Sequence, residues 1–168
     1  MEIILFPGEK DLYDGATPSG NSVTALNFLR LGRLTGNTDL EQKADQLFNH
    51  FSATVAGYPM AYTQFIKALD FGLGPGQEIV VAGNPSEGTT NEMISVIHRS
   101  FSPNKVLLMR PSEEKDLQKA FQLSPFLEPL VPLNDRPTVF LCTQYACQSP
   151  ITEVAVLEKV LNGTEDSF

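Results

Sequence analysis

The chain has 168 residues, of which 42% are hydrophobic and 19% charged, and its formal net charge is -8. This length suits one ordinary domain or two small units with a shared core, and it excludes a large multidomain enzyme. The acidic balance, with a pI near 4.7, argues against nucleic acids and anionic membranes as partners bound through bulk charge. The apolar start at Met1 lacks the basic region of a signal peptide, and we expect a cytoplasmic protein.

The first half of the chain is predicted to be helical. Apolar residues fill most of Val23–Leu34, so we expect this helix to be buried between neighbours. Ser19 or Asn21 could cap its start. A capping-box pattern at residues 38–41 begins a second helix, and a third runs from about residue 59 to 71. Short connections make the three helices antiparallel neighbours.

The second half is predicted to be a small α/β unit that follows the glycine-rich segment Gly72–Gly76. Three apolar or β-branched runs predict strands, at Glu78–Ala82, Lys105–Met109 and Thr138–Cys142. A helix between the first two favours parallel pairing. The predicted fold is therefore mixed α/β, with a helical segment over residues 1–75 and a three-stranded, mainly parallel unit over residues 76–168. We expect the two to pack as one compact body.

The two cysteines leave two interpretations open. Cys142 ends the third predicted strand, and Cys147 lies in the loop before the last helix. A thiolate near a helix N-terminus is stabilised, which would suit a redox pair. The spacing is not the two-residue gap of thioredoxin-like motifs, however, and cysteine commonly packs as a small buried hydrophobe. Neither His50 nor His98 stands at ligand spacing from another candidate, so we predict no metal site and no cofactor.

The loop Gly83–Thr90 has the glycine spacing of a phosphate-binding loop without its chemistry. Thr89 occupies the position where that motif requires lysine, and Glu87 would bring a negative charge near the phosphates. We therefore interpret the segment as an ordinary strand-to-helix turn with its corner at Asn84 and Pro85.

Two segments resemble a known family. One reads Asp-Gly-Ala-Thr-Pro-Ser-Gly-Asn-Ser over Asp14–Ser22 and runs on into Ala25–Leu31. The other reads Cys-Thr-Gln-Tyr-Ala-Cys-Gln-Ser-Pro over Cys142–Pro150. With Ala68–Asp70 and Leu73–Pro75 between them, these segments resemble the C-terminal end of the thioredoxin-domain-containing family that includes spermatogenesis-associated protein 20. The resemblance covers essentially the whole chain.

This resemblance implies a much longer parent protein. Family members carry an N-terminal thioredoxin-like domain followed by an (α/α) toroid similar to N-acylglucosamine 2-epimerases and six-hairpin glycosidases. The helical half of this chain would form the last hairpins of the toroid. We expect either a recombinant fragment or a truncated gene product, inactive in isolation, whose first partner is the missing N-terminal part of its parent. The parent's own activity is not established.

The resemblance also implies a role for the loop before the first helix, since such loops line the central pocket in toroid enzymes. Asp14 would act as an acid or base, while Tyr13, Ser19 and Asn21 would hold the hydroxyls of a carbohydrate-like ligand. The alternative is a turn at Asp14 and a helix cap at Ser19 or Asn21, which the residue types explain without a ligand. No second carboxylate stands at a spacing that supports glycosidase chemistry.

The sequence leaves three functions open. The chain could be the end of a toroid protein that binds or transforms a carbohydrate-like molecule. It could be a non-catalytic structural or partner-docking module, since the apolar first helix would expose a patch and favour homo-oligomers. It could also act in thiol redox chemistry through Cys142 and Cys147.

Overall fold

The computed structural model describes residues 12–163 and divides the chain after Gly76 into a helical unit and an α/β unit. The helical unit contains α1 (Gly20–Thr35), α2 (Thr38–Gly57), a 3-10 turn (Pro59–Ala61) and α3 (Thr63–Leu73). The α/β unit contains β1 (Gln77–Ala82), α4 (Gly88–Arg99), β2 (Lys105–Arg110), α5 (Glu114–Leu123), a second 3-10 turn (Pro125–Leu127), β3 (Thr138–Thr143), β4 (Ala146–Cys147) and α6 (Val154–Leu161). The predicted mixed α/β class is confirmed. None of the helices within residues 12–163 is long and apolar enough to cross a membrane.

In the helical unit, α1 packs against both α2 and α3. Its N-cap is Ser19, and Gly36 ends it in the left-handed conformation at φ 71°, where a glycine has no steric penalty. Between α2 and α3, the ring of Phe65 meets Phe48 and Phe51 edge to face, with centroids 5.4 and 6.0 Å apart. These aromatic contacts form the centre of the helical core.

Two helix starts differ from the sequence prediction. The N-cap of α2 is Asn37, whose Oδ1 accepts the N–H of Asp39 at 3.0 Å, so Thr38 is already helical and forms no capping box. Glu41 instead lies 3.4 Å from the Nε of Arg33 on α1. The third predicted helix is interrupted at Tyr62, between the 3-10 turn and α3. Periodicity located the helices, whereas their starts depend on which polar side chain reaches the free N–H groups.

The sheet has the strand order β2-β1-β3-β4. β1 and β2 pair in parallel, as predicted, but β3 runs antiparallel to β1 and β4 antiparallel to β3. The three-stranded, mainly parallel sheet is therefore corrected to four strands with one parallel pairing among the described residues. The long connection through α5 brings the chain back to the end of the sheet where β2 stops, since Arg110 and Thr138 both pair with Ala82, and β3 therefore runs antiparallel to β1. β4 was missed because it has two residues and its turn contains neither glycine nor asparagine.

Both faces of the sheet are covered, which explains why β1 is apolar without alternation. On one face, Ile79 and Val81 of β1 pack with side chains of α4 and α6. On the other face, Val80 and Ala82 pack with Phe140, Cys142 and Leu127, and partly buried side chains of α5 join them. The sheet is thus the core of the α/β unit.

Lys105 links the start of β2 to the end of α4. Its Nζ donates to the carbonyl oxygens of Ile97 and Ser100 and to the hydroxyl of Ser100. A cation at this position stabilises the free carbonyl groups at a helix C-terminus. Burial lowers the pKa of Lys105 from its ordinary value.

The packing of α6 on the sheet gives a stability prediction. Leu157 is fully buried in the core, whereas its neighbour Val156 is among the exposed large hydrophobic residues. Leu157→Ala should lower the free energy of unfolding by about 2–5 kcal/mol because it leaves a cavity. Val156→Ala is the matched control and should cost less than about 1 kcal/mol. Urea denaturation of both variants measures the difference, and equal costs would show that α6 does not contribute to the core.

Candidate functional site

Asp14 connects the loop before α1 to the start of α3. Its Oδ1 accepts the backbone N–H of Ser19 at 2.8 Å. Its Oδ2 accepts the N–H groups of Gln64 and Phe65 at 2.9 and 3.1 Å. The N–H of Asp14 itself donates to the carbonyl oxygen of Ala61 at 2.9 Å. One carboxylate therefore joins the start of α1 to backbone groups that lie 50 and 51 residues beyond Asp14 in the sequence.

This geometry makes Asp14 the N-terminal cap of α3. The residue that precedes α3, Tyr62, makes no capping bond with its side chain, and the first turn contains no acidic residue. Gln64 and Phe65 belong to that first turn, where N–H groups have no partner within the helix. A carboxylate there supplies the missing acceptor and also complements the positive end of the helix dipole.

The other three residues proposed for the loop lie around the start of α1. Ser19 caps α1, since its Oγ accepts the N–H of Ser22 at 3.1 Å and shares a hydrogen bond with the Ser22 hydroxyl at 2.8 Å. Asn21 lies partly buried in the first turn. Tyr13 has 58% of its surface exposed, and its ring folds back over Gly15. The structure thus gives Asp14 and Ser19 capping roles, and their roles in substrate chemistry stay predictions.

The loop between β1 and α4 is held closed by its own hydrogen bonds. The Asn84 Oδ1 accepts the N–H of Ser86 at 2.9 Å, and the Asn84 carbonyl accepts the N–H of Glu87 at 3.0 Å. Asn91 donates from Nδ2 to the carbonyl of Pro85 at 2.8 Å. These bonds are those of a strand-to-helix turn. Within residues 12–163, no group of three or more His, Cys, Asp or Glu side chains could hold a metal ion.

The two cysteines form a disulfide bond. Cys142 of β3 and Cys147 of β4 stand directly opposite each other in the antiparallel ladder, and their sulfurs are 1.99 Å apart. Cys142 has 1% of its surface exposed, whereas Cys147 is exposed to solvent. The structure therefore joins the two predicted cysteines in one disulfide bond. One cysteine of the bond is buried and the other is exposed.

The turn inside this disulfide has an uncommon backbone conformation. Gln144 and Tyr145 have φ of 51° and 62°, in the left-handed region that favours glycine. This conformation costs a non-glycine residue about 1–2 kcal/mol. Interactions around the turn offset the cost, since the Tyr145 N–H donates to Glu78 Oε2 at 3.2 Å and the Tyr145 ring contacts Phe126 at 5.3 Å between centroids. The disulfide closes the same turn.

Glu78 is the residue of this region that sequence reasoning missed as a functional candidate. It lies on β1 directly opposite Cys142 of β3, with none of its surface exposed. Directly opposite residues in an antiparallel pair extend to the same face of the sheet. A buried carboxyl group and a buried cysteine are therefore cross-strand neighbours. The available signal was a charged residue at the start of an otherwise apolar strand, which is uncommon in a sheet covered on both faces.

The capping role of Asp14 gives a second prediction. Asp14→Ala removes the acceptor of three N–H groups and should lower the stability of the helical unit by about 2–3 kcal/mol. Asp14→Asn keeps one acceptor oxygen and should cost less. Asp45→Ala, on the exposed side of α2, is the control and should change stability by no more than about 0.5 kcal/mol. Urea denaturation followed by circular dichroism gives the values, and Asp14→Ala with control-like stability would contradict the role.

Comparisons with known proteins identify relatives that match about nine-tenths of the chain. Spermatogenesis-associated protein 20 from Rattus norvegicus is 37% identical over 153 residues, which is 91% of this chain and 19% of the relative. The protein of the same name from Homo sapiens is 35% identical over the same share of both chains. An uncharacterised protein from Caenorhabditis elegans is 26% identical over 149 residues, or 89% of this chain and 20% of the relative.

No family model matches the chain, and no solved structure matches it. The chain spans about a fifth of the length of the relatives it matches. The similarity nevertheless extends into both units, since 153 of the 168 residues are matched. The chain is a homologue of spermatogenesis-associated protein 20 over 91% of its residues, and the family resemblance inferred from its sequence is confirmed.

Proposed function

We propose that this chain acts as a non-catalytic docking module of a longer protein, and that it binds the remainder of that protein through its helical unit. The observation that carries the proposal is the hydrogen bonding of Asp14. The loop predicted to hold catalytic groups uses that carboxylate to fix the starts of two helices. The short span of the chain relative to its homologues supports a role within a larger assembly.

The surface that would dock is the outer face of α1, formed by Val23, Asn27, Arg30 and Leu31. These four residues lie within one arc of the helix at 100° per residue and are all exposed. Val23 and Leu31 have 39% and 48% of their surfaces exposed, although both are large and apolar. A face with apolar side chains beside a single arginine and an amide is typical of a protein interface.

The partner that fits this face is the N-terminal remainder of the parent protein. Its docking surface should present apolar side chains to Val23 and Leu31, and an acceptor to the guanidinium of Arg30. In the arrangement that the family resemblance implies, α1 to α3 would close an (α/α) toroid. The alternative occupant is a second copy of this chain, which would produce a concentration-dependent dimer.

A carbohydrate-like ligand of the parent is the secondary proposal. The observation in its favour is the exposed ring of Tyr13 beside the anchored Asp14, since a ring exposed next to polar groups can pack on a sugar face. Such a ligand would contact Tyr13 and Asn21 after the remainder of the protein has completed a pocket. Turnover of a sugar by the 168-residue chain alone would contradict the non-catalytic role.

A binding experiment tests the docking face. The chain is mixed with a form of the Rattus norvegicus relative from which the matched region is deleted, and complex formation is measured by sedimentation velocity. Leu31→Glu should weaken the complex by about tenfold or more, because it places a charge on the apolar face. Gln46→Glu, on the exposed side of α2, adds the same charge elsewhere and should leave binding unchanged.

Sedimentation of the chain alone at several concentrations distinguishes the two occupants. The proposal expects a monomer, or a weak self-association that the deleted relative displaces. A stable dimer that Leu31→Glu dissociates would assign the face to a second copy. The absence of any complex with the relative, or equal binding by both variants, would overturn the proposal.

A further inference from the structure

We propose that the hairpin of β3 and β4 is a thiol–disulfide exchange site whose substrate is a thiolate of a dithiol compound or protein. This exchange site consists of Cys142, Cys147 and the turn Gln144–Tyr145 of the hairpin, together with the buried Glu78 of β1. The proposal does not depend on the docking role of the helical unit, because each of these residues lies in the α/β unit.

The two cysteine residues differ in their exposure to a substrate. Cys147 lies on a two-residue strand at the end of the strand order, and it is exposed. Cys142 lies inside the cluster with Val80, Phe140 and Leu127. Thiolate attack on a disulfide requires access to the sulfur that is attacked. The Sγ of Cys147 is therefore the electrophile, and the Sγ of Cys142 is the leaving group.

The exchange balances with a dithiol as the reductant. One thiol of the dithiol loses its proton and attacks the Cys147 Sγ, which forms a mixed disulfide and breaks the bond between Cys147 and Cys142. The Cys142 sulfur leaves with the electron pair and takes a proton from the Glu78 carboxyl group, which is restored by the proton that the first thiol lost. The second thiol of the dithiol then loses its proton and attacks the mixed disulfide, and the released Cys147 sulfur takes up that second proton. The dithiol is oxidised to a disulfide by two electrons, and the hairpin is reduced by two.

In this proposal, Glu78 donates the proton that the leaving Cys142 sulfur takes up. A thiolate left among apolar side chains would be costly, so the Cys142 sulfur must gain its proton as the bond breaks. Glu78 is the carboxyl group directly opposite Cys142, and it is itself buried. Its Oε2 is held by the N–H of Tyr145 from the turn. Glu78 and Cys142 are thus buried cross-strand partners, and their burial keeps solvent from supplying the proton directly.

A mapping experiment tests which sulfur is attacked. The folded chain is treated with reduced glutathione, quenched with iodoacetamide and analysed by peptide mass spectrometry. The proposal expects glutathione on Cys147 and the alkyl group on Cys142, with about tenfold or greater preference. Equal labelling of the two cysteines would overturn the direction of attack. A disulfide that reacts only when the chain is unfolded in urea would overturn the exchange site as a whole.

Reduction kinetics with dithiothreitol test the role of Glu78. Glu78→Gln retains an oxygen that accepts the Tyr145 N–H, so a merely structural role would leave the rate unchanged. The proposal expects the rate to fall by about a hundredfold, the low end of what a positioned acid–base group contributes. Glu78→Asp should recover part of the rate, since it restores the carboxyl group.

Glu158→Gln on the exposed side of α6 is the matched control and should reduce at the wild-type rate. Circular dichroism confirms that each variant is folded. A Glu78→Gln variant that is folded and reduced at the wild-type rate would overturn the role of Glu78. If that variant does not fold, the glutathione mapping on the wild-type chain by itself determines whether the hairpin exchanges its disulfide.

Discussion

The helical unit depends on one carboxylate. Asp14 accepts three backbone N–H groups, one from the cap of α1 and two from the first turn of α3. Since α1 packs against both α2 and α3, the position of α3 relative to α1 is set at its start by this residue. The ring contacts of Phe65 with Phe48 and Phe51 begin at the same turn of α3. Polar and apolar interactions therefore fix one helix start together.

The α/β unit depends instead on apolar packing. Both faces of its sheet are covered, so β1 has no exposed face. Glu78 is the exception among the residues of that strand, because it brings a carboxyl group into the covered region beside Cys142. A buried ionisable residue must be compensated by specific partners, and the turn at Tyr145 supplies one of them. One short hairpin thus contains two non-glycine residues in the left-handed region and a disulfide, and the buried carboxyl group of β1 lies beside it. Strained backbone of this kind is common at sites where chemistry or switching occurs.

Much of the fold could be predicted from the sequence, because the hydrophobic periodicity of the helices and the apolar run of β1 reflect burial directly. The parallel pairing of β1 and β2 also followed from the helix between them. The direction of β3 could not be predicted, since the long connection before it carries no signal for the end of the sheet at which β3 begins. Asp14 was singled out, but its contacts with Gln64 and Phe65 connect positions about fifty residues apart, which no local motif encodes. Glu78 was missed for the same reason, because its importance lies in a cross-strand partner.

Asp14 is the structural anchor of α3, and the order of the helical unit depends on it. Hydrogen exchange of the Gln64 and Phe65 amides, followed by NMR in the wild-type chain and in Asp14→Ala, tests it. Both amides should be protected in the wild type and lose that protection in the variant, while amides in the centre of α2 keep theirs. Unchanged protection of Gln64 and Phe65 in the variant would contradict the anchor and return Asp14 to the candidates for a chemical role.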